Sequence, residues 1–482
     1  MRIHALWVVA LVAIGCGGGP AETTDTSTPT IGSTGDTSEG SSISEDSPTG
    51  GPAGTSSEET TGGTTTGVSG DTTGDTGDTT TDTTDGDGTS VACSGVYMSG
   101  VQLVSGLVTD PIPSLPKPAK GEAFAEPTYG TCVVRVTDHA VEPPEGFARN
   151  DYSRRQAFNA DSSRLIVYAN DGFWHLYDAE TFAHIKVLSG PAGDAEPQWH
   201  PTDPDLLYYL PTNGGLVVHE LNVSTDASEV VGDFAGRLPW PSAARLWTKS
   251  EGAPSADGRY WAFMAETEDS TSVGIVVWDL ATDTIVSTMD NDERPDHLSM
   301  SPSGEYVVVS WPDEVVVFDR ELSDPRTIQA KSEHSDIALD ENGDDVYVSV
   351  DYQSTDGAVF MVNLRTGERT DLFPTYIDGT ATAIHFSGKA FREPGWVLMS
   401  TSADYGGEVQ WLHRKVTAVQ LRADPTIYHL AHTHVVDNGY WTEPHASVNR
   451  DFTRILFTSN WEVDSDMDVN AYMIELPAGA LE

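Results

Sequence analysis

Seven times between Arg155 and His445 the chain repeats one phrase: a polar residue, a short apolar stretch, a tight turn, and a β-rich run ending in an aspartate or a similar polar stop. The openings are Arg155, Glu196, Glu251, His297, Asp336, His385 and His445, spaced 41, 55, 46, 39, 49 and 60 residues apart. A repeat of this length built from strands cannot bury its own apolar face, so successive copies must stack, and the period points to propeller blades. The runs at 164–169 and 172–178 read as two strands joined by Asn170-Asp171, from their β-branched and aromatic residues bounded by turn formers. Equivalent pairs follow at 206–210 with 215–221, 260–265 with 274–280, 306–311 with 315–319, 346–350 with 358–364, 396–401 with 416–421, and 454–459 with 471–476.

The last repeat supplies only three strands before the chain ends. The run 131–137 (TCVVRVT) is expected to add the missing outer strand from the opposite end, which would remove an exposed sheet edge. The expected fold is therefore all-β: a seven-bladed β-propeller of four-stranded antiparallel blades over 125–482, preceded by a leader at 93–124 packed on the domain. Six or eight blades are the alternatives, because the sixth repeat is irregular around 389–394 and 404–415.

In a propeller the innermost strands run beside the central axis, so the seven openings converge. Glu196, Glu251, His297 and Asp336 are expected to line that channel. His297, His334, His385 and His445 stand at, or two residues before, the start of an inner strand, and an offset of two keeps the same strand face. Several imidazoles meeting at one point suit a transition-metal ion, and Glu196, Glu251 and Glu443 add oxygen ligands. The alternative is a water-filled polar channel without an ion.

The C-terminal third carries a resemblance. His385-Phe386-Ser387, and Tyr440-Trp441-Thr442-Glu443-Pro444-His445 running into Arg454-Ile455-Leu456-Phe457-Thr458-Ser459, resemble the oligogalacturonate lyases, seven-bladed propellers related to TolB-type repeats. The resemblance covers mainly repeats five to seven and implies a manganese ion, with Zn or Ca as alternatives. His385 and His445 match ligand positions of the family, Glu443 stands where the family has another histidine, and Tyr440 stands where it has glutamine. His432 and His434 are further candidate ligands from the preceding loop. His334 resembles the family histidine near the substrate, which makes it the candidate catalytic acid or base. Cationic side chains are also needed to hold a polyanionic substrate and a developing enolate. Arg155, the basic residue among the seven openings, is the candidate for that role.

The N-terminus reads Met1-Arg2, an apolar run from Ala5 to Ile14, then Gly15-Cys16. Ten apolar residues are too few to span a bilayer, and the pattern resembles a bacterial lipoprotein signal (1–16) with Cys16 as the lipidated residue. From Gly17 to Thr89 the chain has no Phe, Trp, Tyr, Lys or Arg and has 14 acidic residues, so it cannot bury enough apolar surface to order itself. Residues 17–92 read as a disordered tether between a membrane anchor and the folded domain. In an exported protein the two remaining cysteines, Cys93 and Cys132, are expected to pair as a disulfide.

The whole chain carries a net charge of −48, and the part from Cys93 onward, with 25 basic against 60 acidic residues, carries −35. Such a domain repels nucleic acid and anionic lipid head groups. The expected partners are a polysaccharide or an envelope protein, with the membrane touched only through the lipid, and the expected state is a monomer at the bacterial outer membrane or cell surface. Binding or cleavage of an extracellular polysaccharide is one functional reading; a non-catalytic TolB-like interaction platform is the other. A nucleophilic hydrolase is disfavoured, since no Gly-x-Ser-x-Gly occurs.

Overall fold

Short β-branched runs separated by Gly, Asp and Asn turns pair with their immediate chain neighbours. In this computed structural model of the chain, which describes residues 89–482 except 143–145, 250–251 and 405–407, most do so, the exceptions including Val104–Ser105 and Cys132–Arg135, which pair with distant strands. The expected signal, Cys16, the tether up to residue 88 and Glu251 lie outside the described residues. Among the described residues are 30 strands and no helix long and apolar enough to cross a membrane.

The strands form seven successive antiparallel units. Unit one contains Ala148–Arg149, Arg164–Ala169, Phe173–Asp178 and His184–Ala192, and unit two contains Gln198–Trp199, Leu206–Tyr209, Val217–Asn222 and Ala227–Asp233. Unit three contains Arg245–Trp247, Tyr260–Glu266, Ser272–Asp279 and Thr284–Asp290, and unit four His297–Met300, Tyr306–Trp311, Glu314–Asp319 and Arg326–Gln329. Unit five contains Ser335–Leu339, Asp345–Asp351, Ala358–Asn363 and Arg369–Pro374. Unit six contains Ile384–Ser387, Trp396–Thr401, Lys415–Gln420 and Ile427–His432, with Val104–Ser105 of the leader as a fifth, outermost strand. Unit seven contains Ser447–Val448, Arg454–Ser459 and Asn470–Glu475, and Cys132–Arg135 then Ala123–Ala125 complete it from the N-terminal side. A single parallel pairing of Asn470 with Ala148 joins units seven and one into one hydrogen-bonded sheet.

Burial separates the strands by position. A middle strand such as Tyr306–Trp311 is buried along nearly its whole length, because both faces are covered by neighbouring units. An outer strand such as Ala227–Asp233 is mostly exposed. Apolar clusters fill the gaps between units: Phe263, Trp278, Leu298 and Val309 between three and four, Val348, Val359, Ile384 and Met399 between five and six, and Val134, Val167, Tyr177 and Met473 between seven and one.

Polar contacts also step from unit to unit. Trp199 Nε1 donates to Ala157 O at 3.1 Å, Gln198 Nε2 to Gly252 O at 2.9 Å, and Ala253 N to Ser299 Oγ at 2.7 Å. Ser303 N donates to Asp345 Oδ1 at 3.0 Å, and Gly388 N to Asp336 Oδ2 at 2.7 Å. Val448 N donates to Ser387 Oγ at 3.3 Å, and Gln156 Nε2 to Val448 O at 3.1 Å, which returns the series to unit one. The leader is fixed at its start by the Cys93–Cys132 disulfide and by Ser90, whose N and Oγ donate to the Glu475 carboxylate at 2.8 and 2.7 Å.

Candidate metal centre

Two local features bring three ligand-type side chains together. His385 lies on the inner strand Ile384–Ser387. Glu443 and His445 lie on the connection into unit seven, which begins at Gly439 (φ 86°), makes a 3-10 turn over Tyr440–Thr442, and ends with His445 in the left-handed region at φ 39°. A non-glycine residue there is strained, and such strain persists only where surroundings enforce it. Here Asn150 Nδ2 holds the His445 carbonyl, Thr458 N the Pro444 carbonyl at 2.8 Å, and Ser400 Oγ accepts from Ala446 N at 3.2 Å.

His385, Glu443 and His445 place their ligand atoms within 4.8 Å of one another, the one such group of three among the described residues. His385 Nε2 donates to Glu443 Oε2 at 2.6 Å, and His445 Nε2 stands 3.3 Å from the same oxygen without making a hydrogen bond to it. His385 Nδ1 is buried with no hydrogen-bond partner. Burial, then the neighbouring His334 and His445, hold His385 well below the usual imidazole range. Burial also lowers His445, against the pull of Glu443. Burial pushes Glu443 upward, but its contacts to His385 and His445 outweigh this and hold it below the usual carboxylate range. The cluster is thus two neutral imidazoles and one carboxylate at neutral pH.

That donor set fits a divalent transition ion; two imidazoles suit Mn, Fe or Zn far better than the all-oxygen shell of Ca. The proton on His385 Nε2 can pass to the unpartnered Nδ1 when Nε2 is needed as a ligand. Arg149 Nη1 donates to His445 Nδ1 at 3.1 Å, which puts the neutral ring's proton on Nε2. The guanidinium beside the ring disfavours the imidazolium form, and ligation through Nε2 would require the ring's proton to move to Nδ1 with release of the Arg149 contact.

His334 stacks on His385 with centroids 4.2 Å apart, and its Nδ1 donates to Ile384 O at 2.8 Å. Tyr152 packs against both ligand histidines, at 5.5 Å from His385 and 4.8 Å from His445, with the Arg154 guanidinium 5.2 Å above its ring.

The other expected residues stand elsewhere. His432 ends the fourth strand of unit six, where its Nδ1 meets Glu126 Oε1 at 2.7 Å and its Nε2 meets Tyr129 Oη at 3.2 Å, so both ring nitrogens are engaged away from the trio. His434 Nδ1 bonds Glu462 Oε1 at 3.0 Å, and its ring stacks on Trp461 at 4.3 Å. Arg155 bonds Asp151 Oδ2 at 2.6 Å and Pro197 O at 3.1 Å, and lies over Trp174. Glu196, itself at φ 51°, accepts from Thr248 N and Oγ1 and so clasps units two and three. His297 and Asp336 border one small cavity, shared with Arg154, Ser335 and Tyr347. Asp336 is occupied there by a buried ion pair to Lys389 at 2.8 Å. Arg149 and Tyr152 escaped the repeat-based reading because they precede the first opening; the cue was the run Arg149-Asn150-Asp151-Tyr152-Ser153-Arg154-Arg155.

No protein-family model matches the chain, and no curated protein does. Among solved structures it is similar to an oligogalacturonate lyase in complex with manganese, at 17% identity over 79% of this chain and 100% of that one, with a TM-score of 0.54. An oligogalacturonate lyase from Vibrio parahaemolyticus is similar at 15% identity over 74% of this chain and 96% of that one, also with a TM-score of 0.54. TolB from Acinetobacter baumannii aligns over 53% of this chain and 59% of its own at 17% identity, but its TM-score of 0.31 is too low to support a shared fold. The likeness to the two lyases is one of fold.

Proposed function

We propose that the seven units form a closed seven-bladed propeller whose axis carries a divalent cation, Mn in the first instance, held by His385, Glu443 and His445. At that ion the protein would bind and cleave a uronate-containing polysaccharide. The convergence of two neutral imidazoles and a carboxylate within 4.8 Å carries this reading. A cation there would supply Lewis-acid polarisation of a substrate carboxylate. His334, with Nδ1 anchored on Ile384 O and its ring stacked on His385, would be the base that takes the proton from the carbon beside that carboxylate. Arg149 and Arg154, rather than Arg155, would supply positive charge next to the trio. The signal and Cys16 would tether this domain to the outer surface of the bacterial envelope.

The deciding experiment is metal analysis of the purified protein after loading with Mn(II), beside the His385→Ala and Glu443→Gln variants. Polygalacturonate cleavage would be followed by ultraviolet absorbance with and without chelator. Near-stoichiometric metal in the wild type, lost in both variants, is expected, together with chelator-sensitive cleavage that His334→Ala abolishes. A wild type that takes up no Mn, Zn or Fe refutes the metal centre. A metal-loaded wild type that cleaves no uronate polysaccharide refutes the lyase reading alone.

A further inference from the structure

The trio does not stand open on a polar surface; an exposed aromatic ring borders it. Tyr440, three residues ahead of Glu443, is 39% exposed, although its ring centroid lies only 4.9 Å from that of His445. The turn that presents it is braced from within. Thr442 N donates to Gly439 O at 3.0 Å, Thr442 Oγ1 donates to the same carbonyl at 2.8 Å, and Asn438 N donates to Thr442 Oγ1 at 2.9 Å. Behind the ring stands a layer of aromatic and cationic groups. Arg149 lies 5.4 Å from the Tyr440 centroid and 4.5 Å from that of Trp441, and Trp441 stacks on Phe147 at 4.9 Å. Tyr152 runs nearly parallel to Tyr440, at 17° and 6.5 Å.

A large aromatic ring held exposed by a hydrogen-bonded turn keeps apolar area in water that the fold could have covered. A pyranose ring would cover it: its C–H groups offer an apolar, slightly positive face to the negative face of the arene, while its hydroxyl or carboxylate edge stays free. Tyr440 is close enough to His445 for that edge to reach the trio while the sugar face rests on the phenol ring.

We propose that Tyr440 is a specificity-determining residue: a stacking platform for the sugar ring that engages the centre formed by His385, Glu443 and His445. This rests on the reading of that centre as a metal-dependent polysaccharide site and adds how the substrate ring is oriented.

The test uses the Mn(II)-loaded protein and two probes, trigalacturonate and a neutral gluco-oligosaccharide of equal length, titrated calorimetrically into wild type, Tyr440→Phe and Tyr440→Ala. The expected result is that Tyr440→Phe stays within about twofold of wild type. Tyr440→Ala weakens binding of whichever probe the wild type accepts by about tenfold, the size of one aromatic stacking contact with its buried area. Bound metal and melting temperature should be equal in all three. Equal affinity in Tyr440→Ala overturns the proposal, as does a Tyr440→Phe variant that loses as much as the alanine, since the hydroxyl would then carry the effect. Absence of binding of both probes by the wild type overturns it as well. Sugar binding that depends on Tyr440 in a protein that takes up no metal would remove the metal centre and leave the stacking platform standing.

Discussion

Asp336→Ala is the substitution whose consequence the structure fixes best. Asp336 and Lys389 are each only 4% exposed, and the carboxylate accepts from Lys389 Nζ at 2.8 Å, from Gly388 N at 2.7 Å and from Ile337 N at 2.9 Å. Removing it strands a buried ammonium and an orphaned Gly388 N–H between units five and six. Breaking one side of a buried pair costs about 3–5 kcal/mol, most of it the desolvation of the charge left behind. In a urea titration followed by tryptophan fluorescence this moves the midpoint down by on the order of 1 M. Lys389→Met in the same chain takes away the stranded charge at similar volume. The double variant should therefore recover to a loss of about 1–2 kcal/mol, the penalty for the orphaned N–H, and the cycle should show at least about 2 kcal/mol of coupling. A single variant within about 1 kcal/mol of wild type, or two losses that simply add, would refute the view that this pair is a desolvated charge clasp.

Other consequences follow from buried groups and close contacts. Burial, with Arg154 nearby, lowers His297 to about 4, and burial, with Lys415 nearby, lowers His429 to about 4. Since the unfolded chain takes up these protons first, stability should be level above about pH 6.5 and fall as pH drops towards 4, by up to about 3 kcal/mol per histidine. Melting curves of His429→Gln should show a shallower fall than wild type; parallel curves would contradict this. Cys93→Ser with Cys132→Ser opens a loop spanning a sequence separation of 39, and should cost about 3–4 kcal/mol and expose the leader to limited proteolysis. Unchanged melting and proteolysis would show that Ser90 and its Glu475 contacts suffice. Gly388→Ala would place a Cβ 2.4 Å from the Ile337 carbonyl oxygen, a backbone atom that cannot step aside, so a melting temperature several degrees lower is expected. An unchanged value would mean that units five and six can slide apart.

The strands were legible because their chemistry is local. The expected runs 306–311, 396–401 and 454–459 coincide with Tyr306–Trp311, Trp396–Thr401 and Arg454–Ser459, and the partner strand from 131–137 pairs with Asn470–Glu475 as expected. The third unit opens at Arg245–Trp247 rather than at Glu251, because the pattern of polar residue and turn there follows a pairing already begun upstream. Side-chain convergence was only half legible. His385, Glu443 and His445 meet because inner strands of successive units are neighbours. His432 is close to Glu443 in sequence, yet it ends the fourth strand of its sheet. At about 4.8 Å per strand, it lies some three strand spacings from the inner edge. Arg149 was illegible for the opposite reason: distant in sequence from His445, it reaches that ring only through the junction of units seven and one.

The pairing of Cys132–Arg135 with Asn470–Glu475 sets an order of events for the newborn chain. Cys132 and Glu475 are register partners 343 positions apart, so the strand that emerges first must wait for almost the last one before its hydrogen bonds can form. Contacts of such separation carry the largest loop-closure entropy and form slowly. Until then Val133 and Val134, both buried in the finished domain, remain an uncovered β edge of the kind that invites pairing with another chain. That hazard lasts until Asn470–Glu475 has been made and has reached its partner, so the seventh unit is the one whose completion depends on the longest stretch of intervening chain.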